Sequence, residues 1–277
     1  MALYIQTNVG SMVAQNHLAK TQNALSNTFA KLSSGYRINS AADDAAGLGI
    51  SKSLEAQVRS YSVAERNANN GISMAQTADG AADQISNMLS RMRELAVQGS
   101  DGSLSASDRT NLQTEFSAIQ SSIDRVANVT KFNGQALLSG ASTAIKFQTG
   151  IGTSTNDQIS VNFGGADSTS LAVNSAAIDL TNTTKAQAAI TAIDTGIQSL
   201  STVREGFGSA MNALTDAVSN LQATNTNLTA SLSRIRDVDV AAETASMARS
   251  QVLSQAGAAV LGQANQAPQL ALGLLRG

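Results

Sequence analysis

The residues that most often carry out chemistry in proteins are scarce in this sequence. Cysteine is absent from the 277 residues, and His17 is the only histidine. A catalytic triad or a metal cluster of histidines and cysteines is therefore not expected, and we expect His17 on a helix, either at its surface or between copies of the chain. Asp43 and Asp44 are paired carboxylates, but adjacent residues on a helix do not face each other, so both are assigned to a helix N-terminus. The sequence predicts a protein that is not an enzyme and has no metal or cofactor.

Binding motifs for common ligands are also weak. Gly47-Leu48-Gly49 has only two glycines and no strand before it, which favours a helix connection over a phosphate-binding loop. The net charge of −2 argues against a nucleic-acid partner. The start MALYIQTNVG lacks the basic region and apolar core of a signal peptide, and no stretch reaches the roughly 18 apolar residues of a membrane span. These rules predict a cytosolic protein, unless export uses machinery that reads no cleaved signal.

The strongest pattern is an apolar seam in the C-terminal half of the chain. Residues recur alternately three and four positions apart for about six heptads, which predicts a long helix in a left-handed coiled arrangement. At about 1.5 Å per residue this helix is roughly 70 Å long, so we expect a rod-like molecule. Arg204 and Asn225 are the polar residues in the seam. Its members are Ile190, Ile193, Ile197, Leu200, Arg204, Phe207, Met211, Leu214, Val218, Leu221, Asn225, Leu228, Leu232 and Ile235.

Two further seams in the N-terminal half predict its partner helices. Ser40 with the two aspartates should start the first helix, which Gly99 ends. Ser105 and Asp108 should cap the second helix, and Asn133-Gly134 should close it. Short connections between three such helices predict an antiparallel bundle. The seams are Ala75, Ala78, Ala82, Ile85, Leu89, Met92 and Ala96, and then Leu112, Phe116, Ile119, Ile123 and Val126.

The middle of the chain has a different pattern. Residues 144–148 and 158–163 alternate as β-strands do, and the turn-rich sequence GIGTSTND lies between them. This predicts a β-hairpin insertion. The Ser/Thr/Asn-rich segment that follows, up to residue 183, is predicted to be a surface loop.

Both ends of the chain carry apolar helical stripes that are too thin to be stable alone. Because nothing in the sequence obviously covers them, we expect these ends to order upon assembly between copies. Pro268 should kink or end the last helix. The predicted assembly residues are Ile5, Val9, Met12, Leu25, Phe29, Leu32, Met247, Leu253, Val260, Leu261, Leu274 and Leu275.

The predicted fold is therefore mainly α, an elongated antiparallel helical bundle or coiled coil built from both chain ends, with a small β-hairpin in the middle. The predicted segments are an N-terminal assembly helix at 1–40, rod helices at 41–143, an outer region at 144–183, a C-terminal rod helix at 184–240 and a C-terminal assembly helix at 241–277.

Several long motifs resemble those of bacterial flagellins. They are IQTN at 5–8, LSSGYRINSAADDAAGLGIS at 32–51, RNANNGISMAQTADGA at 66–81, RMRELAVQGS at 91–100 and the run from SRIRDVDV to ALGLLR at 233–276. The resemblance covers roughly residues 1–140 and 185–277.

This resemblance implies a secreted, extracellular subunit of the bacterial flagellum, used for swimming. It implies export in unfolded form through a type III apparatus and pairing of the terminal helices in the filament core. The implied partners are other flagellin subunits, an export chaperone, and the hook–filament junction and cap proteins.

The motif RMRELAVQ at 91–98 has two interpretations. In one, Met92 and Leu95 pack in the core while the charged residues bridge to neighbours. In the other, which rests on the resemblance, Arg91, Leu95 and Glu115 match positions that a vertebrate Toll-like receptor recognises in flagellins. The two interpretations are compatible.

Two other structural classes share parts of this sequence pattern. A hook–filament junction protein shares the terminal helices, but RMRELAVQ and QAGAAVLGQANQ favour a bulk filament subunit. A chemoreceptor signalling domain is also rich in Ala, Ser and Gln heptads, although such receptors usually carry membrane spans.

Overall fold

The computed structural model describes residues 7–174 and 178–275, with side chains up to residue 266. Contacts divide the chain into two compact units, one of residues 1–56 and 227–277 and one of residues 57–226. The described helices are α1 Val9–Ser34, α2 Ala45–Gly99, α3 Ala106–Val129, α4 Thr183–Arg236 and α5 Val240–Leu275. The described strands are β1 Lys131–Phe132, β2 Gln135–Ala136, β3 Thr143–Gln148 and β4 Gln158–Phe163. The mainly helical fold with a small hairpin is confirmed.

Helix α2 begins later than the sequence suggested. Its N-cap is Asp44, whose Oδ1 accepts a hydrogen bond of 2.8 Å from the Gly47 amide. Asp43 lies in the turn before the helix, where its carboxylate accepts from the Ser40 amide at 2.8 Å and from the Ser40 hydroxyl at 3.0 Å. These bonds stabilise the charged form and lower the pKa of Asp43. The prediction that Ser40 and Asp43 start the helix was therefore wrong, whereas Asp44 lies at the helix N-terminus as predicted.

The predicted end of α2 and start of α3 are confirmed. α2 ends at Gly99, and the buried Arg109 donates hydrogen bonds to the carbonyl oxygens of Gly99 and Asp101, so α3 closes the preceding helix. Ser105 and Asp108 form the expected capping box at the start of α3. Asn133-Gly134 does not close α3. Both residues have positive φ and form the turn of the short β1–β2 ribbon.

The core of the second unit comes from the three predicted seams. The α2 seam from Ala75 to Ala96 is buried along its length, and its alanines allow neighbouring backbones to approach closely. α3 contributes Phe116 and Ile123, and β4 contributes Phe163, whose ring centroid lies 5.5 Å from that of Phe207 in α4. The α4 residues in this core are Ala186, Ala189, Ile193, Leu200, Phe207, Ala210 and Leu214.

The two polar residues of the α4 seam are matched by polar groups on α2. The Arg204 guanidinium lies 2.8 Å from Asp79 and 3.1 Å from Asp83, and these carboxylates raise its pKa. Asn225 donates a 3.1 Å hydrogen bond to the Ser62 hydroxyl. These contacts show that α4 is antiparallel to α2. Because a slip would leave both residues without their partners, they select one register.

The predicted hairpin is confirmed, and the predicted surface loop is not. β3 pairs with β4 in antiparallel register, from Thr143 opposite Phe163 to Gln148 opposite Gln158. The next segment packs against α3 and α4, and we call residues 166–174 and 178–180 the strap. Its buried residues are Ala166, Ser168, Leu171, Val173, Ile178 and Leu180.

Three polar side chains of α3 hold the strap by hydrogen bonds, most of them with the strap backbone. Gln120 donates to the Val173 carbonyl at 3.0 Å, and the Leu180 amide donates to Gln113 at 2.7 Å. The Ser168 amide and hydroxyl both donate to Asp124 at 2.9 Å. Gly196 of α4 lies beneath the strap, where an added Cβ would lie 3.0 Å from the Leu171 carbonyl oxygen, so a side chain there would have to displace the strap by a few tenths of an ångström. Composition suggested a surface loop, but these specific bonds satisfy its polar groups in the interior.

The structure excludes one of the two predicted effects of Pro268 on α5. It runs to Leu275, so it does not end at Pro268. Whether the proline kinks the helix stays a prediction.

We predict that Gln120→Ala destabilises the second unit by about 1–3 kcal/mol, because the buried Val173 carbonyl would lose its donor. Urea unfolding followed by circular dichroism measures this loss. The control is Gln198→Ala, which removes an exposed glutamine of α4 and should leave the midpoint nearly unchanged. Equal midpoints for the two variants would show that the strap bond is not important.

Candidate assembly surface and exposed ion-pair cluster

The terminal helices α1 and α5 pack against each other within the first unit. The side chain of Asn8, which caps α1, donates to the Ala264 carbonyl at 2.7 Å, and the Ser11 hydroxyl donates to Asn265 at 2.7 Å. At the other end of the pair, the Val238 amide donates to the Gly35 carbonyl at 3.0 Å. These contacts make the two helices antiparallel.

The seam between α1 and α5 is built largely from small and polar side chains. Partly or fully buried positions recur three and four residues apart on both helices, as in a coiled coil. Small side chains bury little apolar area, so this seam has a weaker hydrophobic driving force than the core of the second unit. The positions are Ser11, Ala14, Leu18, Thr21, Leu25, Thr28 and Leu32 on α1, and Glu243, Met247, Ser250, Ser254, Gly257, Leu261 and Ala264 on α5.

The structure divides the predicted assembly residues into two groups. Leu25, Leu32, Met247 and Leu261 lie in the seam and are partly covered within the chain. The other group remains exposed, with 66% of Phe29 and 53% of Leu253 accessible to solvent. Its members are Val9, Met12, Phe29, Leu253 and Val260. Ile5, Leu274 and Leu275 lie outside the residues whose side chains the structure describes.

An open groove of about 430 Å³ runs along one side of the α1–α5 pair. Leu253 and Val260 line it from α5, and Val13, Leu18 and His17 line it from α1. Sequence reasoning placed His17 on a helix, at its surface or between copies, but missed Val13 and Leu18. The heptad that starts at Ser11 contains Leu18 and was the signal that could have found it.

The second candidate site lies on α2 and α3 in the other unit. The Arg91 guanidinium contacts Glu115 of α3 through Nη2 at 2.8 Å and Nε at 3.1 Å, and it contacts Glu94 at 2.8 Å. Glu94 and Glu115 together raise the pKa of Arg91. All three side chains are exposed, so the ion pairs add little to stability. They present an ordered charged cluster to solvent.

The remaining residues of RMRELAVQ divide between core and surface as the first interpretation predicted. Met92 is fully buried and Leu95 is 1% exposed. Arg93 bridges to Asp194 of α4 at 2.6 Å. Arg91 and Glu115 are therefore brought together at the surface, while Leu95 is not accessible to a partner in this fold.

None of the described helices combines the length and apolar character that a membrane span requires.

Comparisons with known proteins find matches to the same family at both the N-terminal and the C-terminal part of the chain. Models of the bacterial flagellin N-terminal and C-terminal helical regions match residues 5–143 and 190–275. A flagellin of Halalkalibacterium halodurans is 40% identical over 274 residues, covering 99% of this chain and 100% of that protein. A flagellin of Bacillus subtilis is 39% identical over 304 residues, covering 98% and 99%.

A solved structure from Vibrio parahaemolyticus, described as a flagellar hook-associated protein, covers 70% of this chain and 100% of its own. Its TM-score is 0.59 and its identity 16%, which shows a shared fold alone.

The matched regions and the long paired helices define a structural protein rather than an enzyme. The chain belongs to the bacterial flagellin family and is a structural subunit of the flagellar filament, an extracellular component of the flagellum.

We predict that Leu95→Ala lowers the free energy of unfolding by about 2–5 kcal/mol, because it opens a cavity in the core. Arg91→Ala should leave the urea midpoint nearly unchanged, since its ion pairs are exposed. Urea unfolding of both variants tests whether Leu95 belongs to the core and Arg91 to the surface. A large loss for Arg91→Ala together with a small one for Leu95→Ala would contradict it.

Proposed function

We propose that the filament forms when terminal helices of neighbouring copies pair through the exposed sides of α1 and α5. The supporting observation is that Val9, Met12, Phe29, Leu253 and Val260 remain exposed although the two helices already cover each other within the chain. Burial of apolar surface contributes about 25 cal/mol per Å². A contact between copies that covers these side chains would therefore favour association.

The geometry of the pair suits an open polymer. The exposed residues of α1 and those of α5 form different patches, and a patch that binds a different patch on the next copy produces a helical filament when the ring does not close. The weak seam also fits helices that order fully upon assembly, because neighbouring copies would add the apolar burial that the seam lacks. In this proposal residues 1–40 and 241–277 are the assembly segments.

The remaining predicted segments keep their roles in this proposal with one change. Residues 41–143 and 184–240 supply the bundle helices. The outer region at 144–183 is reduced to the β3–β4 hairpin and its loop, because the strap packs into the second unit.

The proposal extends to export and to other flagellar partners. A chain without cysteine has no disulfide to oppose unfolding, and a seam of small residues separates at little cost. Both properties fit transport in unfolded form through the type III apparatus. An export chaperone, the hook–filament junction proteins and the cap protein are the partners proposed for that route.

Removing residues 241–277 should abolish filaments while the second unit stays folded. Electron microscopy detects the filaments, and circular dichroism follows the remaining helices. Normal filaments from the truncated chain would contradict the assignment of α5 to assembly.

A finer test changes only exposed side chains. We predict that Leu253→Ser with Val260→Ser raises the protein concentration needed for polymerisation at least five-fold, because both residues would lose their burial between copies. Val129→Ser is the matched control, since Val129 is at least as exposed as either residue but lies at the end of α3. Sedimentation at several concentrations gives the threshold. The same threshold for both variants would exclude the α5 face from the filament contact.

A second proposed function is recognition by the vertebrate Toll-like receptor for flagellin. The observation that favours it is the exposed pair of Arg91 and Glu115, which the fold orders at 2.8 Å. Leu95 would act in this proposal only by holding α2 in place, because it is buried.

We predict that Arg91→Ala monomer reduces receptor signalling at least ten-fold in an immune-cell reporter assay. Arg93→Ala is the control, because Arg93 makes an equally exposed ion pair on the same helix. Equal signalling by the two variants would remove Arg91 from the recognition site.

A further inference from the structure

The chain segments that leave α1 and α4 lie side by side in the first unit. The Arg37 amide donates to the Arg236 carbonyl at 2.6 Å, and the Arg37 side chain donates to the Ile235 carbonyl at 2.6 Å. Tyr36 and Asp237 form an antiparallel bridge. We call residues 35–37 together with 235–238 the clamp.

The side chain of Arg236 contacts both the segment that follows α1 and helix α2. Its guanidinium carbon lies 3.8 Å from the centre of the Tyr36 ring, within the range of a cation–π contact. Its Nη1 lies 3.2 Å from Glu55 of α2, and only 18% of the side chain is exposed. Its Nε is buried without a hydrogen-bond partner among the described residues. The planar group is thus held mainly by stacking and by one ion pair.

The clamp lies where the chain leaves α1 and just before it enters α5. Gly35 directly follows the last residue of α1, and Val240, the first residue of α5, is four positions after Arg236. Gly35 can end α1 sharply because its φ of 75° is the left-handed conformation that glycine adopts readily. A shift of the clamp would therefore move the start of α5 relative to the end of α1.

The seam itself defines the register of the two helices only weakly. Ser, Thr, Ala and Gly occupy more than half of its positions and interlock less than large apolar side chains, so packing alone discriminates only weakly against a slide by one heptad. The register therefore depends on polar contacts at the two ends of the pair, where Asn8 and Ser11 supply those at one end and the clamp supplies those at the other.

We infer that Arg236 is a positioning residue for filament assembly, which sets the register of α1 against α5 by stacking on Tyr36 and pairing with Glu55. This inference rests on the proposed function, because the register decides how the exposed residues of α1 and α5 are arranged for the next copy. Arg236 itself need not touch that copy.

The absence of cysteine from the chain allows the register to be measured directly. Ser11→Cys with Asn265→Cys creates the only two thiols, at side chains that are 2.7 Å apart in the register described here. A short bifunctional thiol reagent then reports whether the two helices keep that register, by the mobility shift of the linked chain. The measurement is made on soluble chain and on chain co-sedimented with an excess of wild-type filaments.

We predict that Arg236→Met in the two-cysteine chain reduces the cross-linked fraction at least three-fold and its incorporation into wild-type filaments at least five-fold. Arg234→Met is the matched control, because Arg234 is exposed two positions earlier on the same helix. Tyr36→Phe should retain both values because the ring remains, whereas Tyr36→Leu should lose them. Circular dichroism must show the same helix content for all variants. If Arg236→Met loses helix content, the same comparison is made with Tyr36→Leu and Arg236→Lys in its place.

Each outcome decides the inference. Equal cross-linking by the Arg236→Met and Arg234→Met chains, or no cross-linking in the parent chain and its filaments, would overturn it. Reduced cross-linking with normal incorporation would show that the clamp sets the register but has no role in assembly. If the Leu253 and Val260 variant also polymerises normally, the proposed function fails, while the cross-linking result on soluble chain still stands.

Discussion

Antiparallel pairing between helices from opposite ends of the sequence is the constraint on which both units depend. α2 can bury its alanine-rich seam only against helices that include α4, which begins more than eighty residues after α2 ends. In the same way, α1 is covered only when α5 has been placed beside it. Contacts at such separations must offset the entropy lost in closing long loops. Each helix pair therefore needs features that favour one alignment over the alternative alignments.

The two helix pairs meet this need differently. In the second unit, large side chains such as Ile85, Leu89 and Phe207 supply the burial, and Arg204 with Asp79 and Asp83 selects the register. In the first unit, Ser, Thr, Ala and Gly occupy more than half of the seam positions, and hydrogen bonds at the two ends of the pair align it. One pair therefore has the composition of a stable core. The other has that of a contact that neighbouring copies could complete.

The same division between burial and exposure accounts for the mixed composition of RMRELAVQ without assigning one role to the whole motif. A helical face repeats every three to four residues, so a run of eight residues must place some side chains inside and others outside. Met92 and Leu95 point into the core, and their neighbours Arg91 and Arg93 bridge to α3 and α4 on the surface. Stability and recognition can therefore be changed separately in this motif.

The sequence by itself determined the helical seams, the capping box at Ser105, the end of α2 at Gly99 and the β3–β4 hairpin. These features depend on local periodicity and on turn chemistry, which the order of residues states directly. Tertiary structure alone decided which stripe residues were covered. Leu25 and Phe29 look alike in sequence, but α5 covers only Leu25, because the position of a partner helix cannot be read from the periodicity of one helix. Tertiary structure also decided the burial of the strap, since its polar composition indicates a surface loop until Gln113, Gln120 and Asp124 supply its hydrogen bonds.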